Sequence, residues 1–160
     1  MIQQSDSKSV LRRYVAAVEA GDLDAIRKMF VEDATWTIRA GQLPISGTWK
    51  GRDAIIDGFL AEAMSHYEPG SVSLEITGMI AEGNRVVLQW TSRARTRDGQ
   101  RYENGCIGVF TLREDRIQDV REYMDTLYAS EVAFSRSVSA ATAVGVAAGH
   151  HVAGVKRRPS

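Results

Sequence analysis

The chain has 160 residues, and its 20 Lys plus Arg balance its 20 Asp plus Glu to a formal net charge of zero. That length is enough for one domain with its own core, while a neutral total provides no basic excess for holding nucleic acid or a membrane surface. The single cysteine, Cys106, allows no internal disulfide and fits a reducing cytoplasm; residues 1–10 lack a basic start followed by an apolar run, so no signal peptide is expected, and no run of about 18 apolar residues offers a membrane span.

Ser9 to Ala20 reads as a helix, with Val10, Leu11, Tyr14, Val15 and Val18 at helical spacing and Gly21 as its stop. Asp22 can cap a second helix carrying Leu23, Ile26, Met29 and Phe30 on one face. Ala34 to Arg39 alternates as a strand does, and Gly41 to Gly51, with Pro44, Gly47 and Trp49, reads as a loop. Asp53 to Tyr67 is the clearest helix, its stripe running through Ile55, Ile56, Phe59, Leu60, Ala63, Met64 and Tyr67, and Pro69-Gly70 ends it.

Four strands follow, at Val72–Ala81, Arg85–Thr96, Arg101–Leu112 and Arg116–Asp125. The connections are short, and Asp98-Gly99 tolerates the positive φ of a tight hairpin, so neighbours in this meander are antiparallel. A short helix is expected over Thr126 to Ser135. Beyond it the chain turns to Ser, Ala, Gly and Val without periodicity and closes on Lys156-Arg157-Arg158-Pro159, a composition read as a flexible tail over 136–160 behind a domain of residues 1–135.

The run Arg13-Tyr14-Val15-Ala16-Ala17-Val18-Glu19-Ala20-Gly21-Asp22-Leu23-Asp24-Ala25-Ile26 and the later Phe30-Val31-Glu32-Asp33-Ala34-Thr35 resemble the ketosteroid isomerases of the nuclear transport factor 2-like, or SnoaL-like, superfamily. Gly108-Val109-Phe110 through Val120-Arg121-Glu122-Tyr123-Met124-Asp125 looks more like limonene epoxide hydrolases. The resemblance spans residues 8 to 134. It implies an α+β fold in which a cone-shaped, curved antiparallel sheet packs on three helices, as in the cystatin-like α+β barrels. It sets Tyr14 on the isomerases' oxyanion-hole tyrosine, but puts Ile38 where their general-base aspartate stands and Gly108 where their second oxyanion donor stands. An isoleucine takes no proton from carbon and a glycine side chain donates nothing, so steroid isomerisation is not expected. Glu122 matches the last-strand carboxylate of the epoxide hydrolases, whose Arg and Asp pair falls near Leu88 to Thr91, where neither type occurs.

Alternation along the strands supplies the candidate pocket. If Arg93, Arg95 and Arg97 face outward, Leu88, Trp90, Ser92 and Ala94 face inward; Cys106, Gly108, Phe110 and Leu112 follow on the next strand, and Val120, Glu122 and Met124 on the last. Trp36, Ile38, Trp90, Phe110, Val120 and Met124 then form a wall suited to a small hydrophobic ligand, or the aromatics simply fill the core; Asn104 and Tyr102 are placed to orient a polar group or to serve a loop or turn. Glu122 in an apolar wall gains a raised pKa and can act as general acid or base, or it pairs with a neighbouring arginine instead. Tyr14 can donate to a substrate oxygen, or simply pack in the core of its helix.

No cofactor is expected, since the chain carries neither a Gly-rich phosphate loop nor a nucleophile elbow. No metal is expected either: His66 suits a helix end, and His150-His151 have no further ligand nearby. The function expected is a cofactor-independent enzyme of isomerase, cyclase or epoxide-hydrolase type acting on a small hydrophobic molecule. The alternatives are a ligand-binding protein without turnover and a dimerisation module. A homodimer is expected across the outer sheet face, where Thr35, Thr37, Val87, Gln89, Thr91, Val109, Thr111 and Tyr123 are mixed rather than charged.

Overall fold

The first helix, α1 (Ser7–Glu19), forms where the apolar spacing places it. The Asp6 side chain accepts from the Lys8 amide at its start, and Val10, Leu11, Tyr14, Val15 and Val18 are buried. Gly21, at a φ of 65°, turns the chain in the left-handed region. Asp22 Oδ1 accepts from the Ala25 amide at 2.9 Å and so caps α2 (Leu23–Lys28). The structure, a computed structural model, describes residues 6–39 and 41–135; the expected tail over 136–160 lies outside the described residues.

The sheet has six strands, in the order β2-β1-β6-β5-β4-β3. They are β1 (Phe30–Ile38), β2 (Gly47–Lys50), β3 (Ser73–Glu82), β4 (Arg85–Arg95), β5 (Arg101–Arg113) and β6 (Arg116–Met124). β3 to β6 form the expected antiparallel meander. The expectation of a wholly antiparallel sheet is corrected at one place: β1 pairs with β6 in parallel, Trp36 opposite Val120 and Ile38 opposite Glu122. The three antiparallel reversals of the meander leave β6 opposed to β3, which is itself opposed to β1, so β6 runs in the direction of β1; a parallel pair needs a long crossover, which the helix after β2 and the meander provide.

Two local expectations also change. β1 begins at Phe30 rather than Ala34, because a register shift between Phe30 and Thr35 breaks the alternation and exposes Glu32 and Asp33. Gly47–Lys50, read as loop, is a short edge strand that pairs with Thr35 to Ile38.

The third helix, α3, starts with a π-wound part, Ala54–Leu60, and continues as an α-helix over Ala61–Ser65. Its apolar stripe is the expected one, with Ile55, Ile56, Phe59 and Leu60 buried. Gly58 is needed at this crossing: a Cβ there would sit 2.7 Å from the Trp49 ring of β2. The last helix, α4 (Thr126–Val132), is capped by Asp125, whose Oδ1 accepts from the Tyr128 amide at 3.0 Å.

The helices cover the inner face of the sheet. Glu19 at the end of α1 accepts from the Leu74 amide at 2.8 Å and ties that helix to edge strand β3. Register shifts in β1, β3 and β5–β6 add twist, and the sheet is curved. Among the described residues, no helix is long and apolar enough to cross a membrane.

Candidate functional site

On β6 the inward positions are Val120, Glu122 and Met124. The parallel register sets Trp36 beside Val120, so its indole reaches two residues along and Nε1 donates to Glu122 Oε2 at 3.0 Å. Glu122 is only 8% exposed, and burial lifts its carboxyl to about 7, against which the Trp36 hydrogen bond pulls down. An arginine partner for Glu122 is the alternative expected from sequence; among the described residues no ion pair includes it, and Arg121 reaches Asp119 instead, at 3.5 Å.

Glu122 lines a cavity of about 120 Å³ between α1, α3 and the inner face of the sheet. Tyr14, Trp36, Trp90 and Met124 line the same cavity. The Tyr14 hydroxyl makes no hydrogen bond among the described residues, and burial, then the nearby Glu122 charge, holds its pKa well above the usual phenol value. Two candidates of opposite origin, one from the first helix and one from the last strand, therefore line one cavity.

Four of the expected contact residues sit elsewhere. Phe110 and Val120 are fully buried but do not line the cavity. Phe110 packs behind it in an aromatic cluster, its ring 5.8 Å from Tyr14 and 6.0 Å from Trp36. Ile38 is buried opposite Glu122 on β1, again outside the lining. Asn104 is committed to the scaffold: its Nδ2 donates to the Asp125 carbonyl and to the Tyr102 hydroxyl, both at 2.9 Å, and its Oδ1 accepts from the Asp125 amide. It thus fixes the junction of β5 with α4 and aims Tyr102, which does line the cavity.

Gly108 has a packing reason. A Cβ there would lie 2.5 Å from the Phe110 ring and 3.1 Å from the Trp90 ring. The aromatic rings take the space that a side chain at this position would need.

The cavity also draws on residues that strand alternation could not supply, chiefly Phe59 and Met64 of the third helix, Tyr67 just after it and Leu74 at the sheet edge. The signal for the helical ones was present, since they lie on its apolar stripe; what was missing was which part of that stripe stands over the hollow. Cys106 lines the cavity too, its thiol pushed up to about 12 by burial, which keeps it protonated and unreactive. His66 Nε2 meets Glu62 at 3.0 Å and its ring packs edge-on against Phe134. Among the described residues, no three His, Cys, Asp or Glu side chains cluster as metal ligands would; His150 and His151 lie outside those residues.

The family model described as a SnoaL-like domain matches residues 11–120. The chain belongs to the SnoaL-like family. Its neighbours among solved structures carry the same fold. Bal32a, from a soil-derived mobile gene cassette, is 29% identical with a TM-score of 0.67, covering 77% of this chain and 92% of that one. An NTF2-like protein from Burkholderia pseudomallei is 21% identical with a TM-score of 0.72, covering 81% and 98%. TerC, co-crystallised with polyporic acid, is 21% identical with a TM-score of 0.70, covering 79% and 97%. The ECF RNA polymerase sigma factor SigG of Mycobacterium tuberculosis is 26% identical over 121 residues, 76% of this chain. The SnoaL-like chain spans 30% of the length of that curated relative.

Proposed function

We propose that this SnoaL-like domain holds a small, mostly apolar molecule in the cavity and acts on it without a cofactor, by general acid–base catalysis. Glu122 moves the proton and Tyr14 donates a hydrogen bond to the substrate oxygen on which charge develops. The observation that carries this is one buried carboxyl, poised near neutral pH, sharing a mainly apolar cavity with a tyrosine hydroxyl. A carboxyl titrating near 7 exists in both forms at neutral pH and so can either give or take a proton. The reaction class is isomerase-, cyclase- or epoxide-hydrolase-like, and the volume of about 120 Å³ suits a molecule near the size of a single ring.

A second reading, binding without turnover, is favoured by Ile38 and Gly108. They stand where the isomerases have two aspartates, so Glu122 works without a second acid.

Deuterium exchange at the carbons beside the carbonyl of cyclohexanone and of N-methyl-4-piperidone, followed by NMR in heavy water, tests the catalytic reading. Acceleration by the wild type and its loss in Glu122→Gln are expected. Equal rates in the two proteins, with binding retained, would replace catalysis by binding alone.

The outer sheet face supports a homodimer as the functional unit. Ile107 is 39% exposed and Tyr123 51% exposed, and they are neighbours in register on β5 and β6. Sedimentation at micromolar concentration is expected to give twice the monomer mass, and a Tyr123→Asp variant to give the monomer. The lone, buried thiol supports a reducing compartment such as the cytoplasm.

A further inference from the structure

A carboxylate taken out of water needs a counter-charge, and among the described residues no cationic side chain pairs with Glu122. The groups that face it in the cavity are neutral: Tyr14 from α1, Tyr67 after α3, Tyr102 and Cys106 from β5, and the Trp36 indole from β1. Arg39 and Arg121 border a separate hollow with Glu122 beside the outward Thr35, Asp119 and Tyr123; neither forms an ion pair with it, and Arg121 reaches Asp119. Arg93 of β4 is the one arginine among the residues lining the cavity, and its guanidinium is held by Glu75 and Glu103 on the outer side of the sheet. His66 is held by Glu62. Around the carboxyl the walls are aromatic: Trp36, Tyr14, Phe59, Tyr67 and Trp90 all line the cavity. The Trp36 and Phe59 rings lie 4.8 Å apart, and the Tyr14 and Trp36 rings 6.2 Å apart. Ring faces carry the negative side of the aromatic quadrupole and attract cations, most strongly where water is excluded.

We propose that the molecule held here carries a compact organic cation, a protonated tertiary amine or a quaternary ammonium group, seated among these rings with Glu122 as its counter-ion. The inference rests on the reading of Glu122 as the group that faces the ligand, and narrows that ligand from small and apolar to small, apolar and positively charged. A quaternary head has methyl groups and no N–H, so it asks for no hydrogen-bond acceptors from a wall that has few. Its charge spreads over those methyls, which meet the rings as a hydrocarbon would. A neutral ligand of the same shape gains the apolar contact but leaves the carboxylate uncompensated or forces it to take a proton.

Tetramethylammonium and neopentyl alcohol, a neutral molecule of similar shape, titrated into the full chain between pH 5 and 8 with tryptophan fluorescence as the readout, test this. Tetramethylammonium has no proton to lose, so any pH dependence belongs to the protein. Its affinity is expected to rise about tenfold per pH unit until Glu122 is ionised, and to level off above about 7. It is expected to exceed that of neopentyl alcohol at least tenfold, and to fall at least tenfold in Glu122→Gln, in which Trp36 can still donate to the amide oxygen. If Glu122→Gln does not fold, the wild-type pH slope and the comparison of the two ligands still decide. Equal affinity for both ligands with no pH slope overturns the cation and leaves the ligand site standing; binding of neither overturns both.

Discussion

Trp36 Nε1 donates to Glu122 Oε2 at 3.0 Å across the parallel β1–β6 pair, between residues 86 positions apart in the chain. This bond favours the ionised carboxyl, whereas burial favours the neutral one, and the balance leaves Glu122 at about 7. Trp36→Phe keeps a ring in the wall and removes only the donor. The Glu122 titration, followed through its side-chain carboxyl carbon by NMR, is expected to move upward. A downward move or none would mean that the indole does not act on the charge.

The same carboxyl makes folding stability depend on pH. The ordinary glutamate value is 4.5 and the folded one about 7, so the folded protein binds the proton more tightly than the unfolded chain. Below pH 4.5 both states are protonated and there is no penalty. Between 4.5 and 7 the unfolded chain ionises first, and stability falls as pH rises. The loss from this group is complete above 7 and amounts to about 3 kcal/mol. Urea unfolding at pH 5 and pH 8 should record this fall in the wild type, and a much smaller one in Glu122→Gln.

Tyr14→Phe separates a ligand-facing hydroxyl from a structural one. The ring packs against Phe30, Trp36 and Phe110, and the hydroxyl has only the cavity before it. Removing it is expected to change stability by less than about 1 kcal/mol, because no protein hydrogen bond is broken. Exchange of the ketone probes is expected to slow by a factor of about 10 to 100, the effect of losing one oxyanion donor, at the lower end because a single neutral phenol is involved. Tyr102→Phe, which takes away the hydroxyl that accepts from Asn104 at 2.9 Å, is the structural contrast.

Gly108→Ala tests the packing reason for a glycine at this position. The new methyl meets the Phe110 and Trp90 rings well inside contact distance. Destabilisation of about 1–3 kcal/mol is expected from this overpacking, measured by thermal or urea unfolding. An aspartate there would meet the same rings, so the isomerase pattern is not restored by one substitution. A neutral Gly108→Ala would show that the rings can shift.

Two left-handed residues, Glu114 at a φ of 50° and Asp115 at 59°, make the β5–β6 turn. The double change Glu114→Asn and Asp115→Gly supplies the residue types this turn prefers and is expected to stabilise by about 1 kcal/mol, read as a higher urea midpoint with an unchanged slope.

The helices, the meander and the inward set of each strand could be read from the sequence because they depend on spacing alone: Val10, Leu11, Tyr14, Val15 and Val18 lie on one face of a helix wherever that helix goes. Glu122 and Tyr14 could be read as candidates for the same reason, each being a polar group on an apolar face. Several features depend on partners distant in sequence and could not be read that way. The bulge in β1 hides its first half, β2 exists only because β1 is beside it, and the parallel register puts Trp36 on Glu122 rather than on some other residue. Asn104 looked like a ligand contact until the Asp125 backbone took up its amide. Local pattern fixes which side of an element is apolar; it does not fix which elements meet, because that is decided by strand order and register over the whole chain. The charge of Glu122 is set at the same level, since it depends on what surrounds the carboxyl once the helices have closed over the sheet.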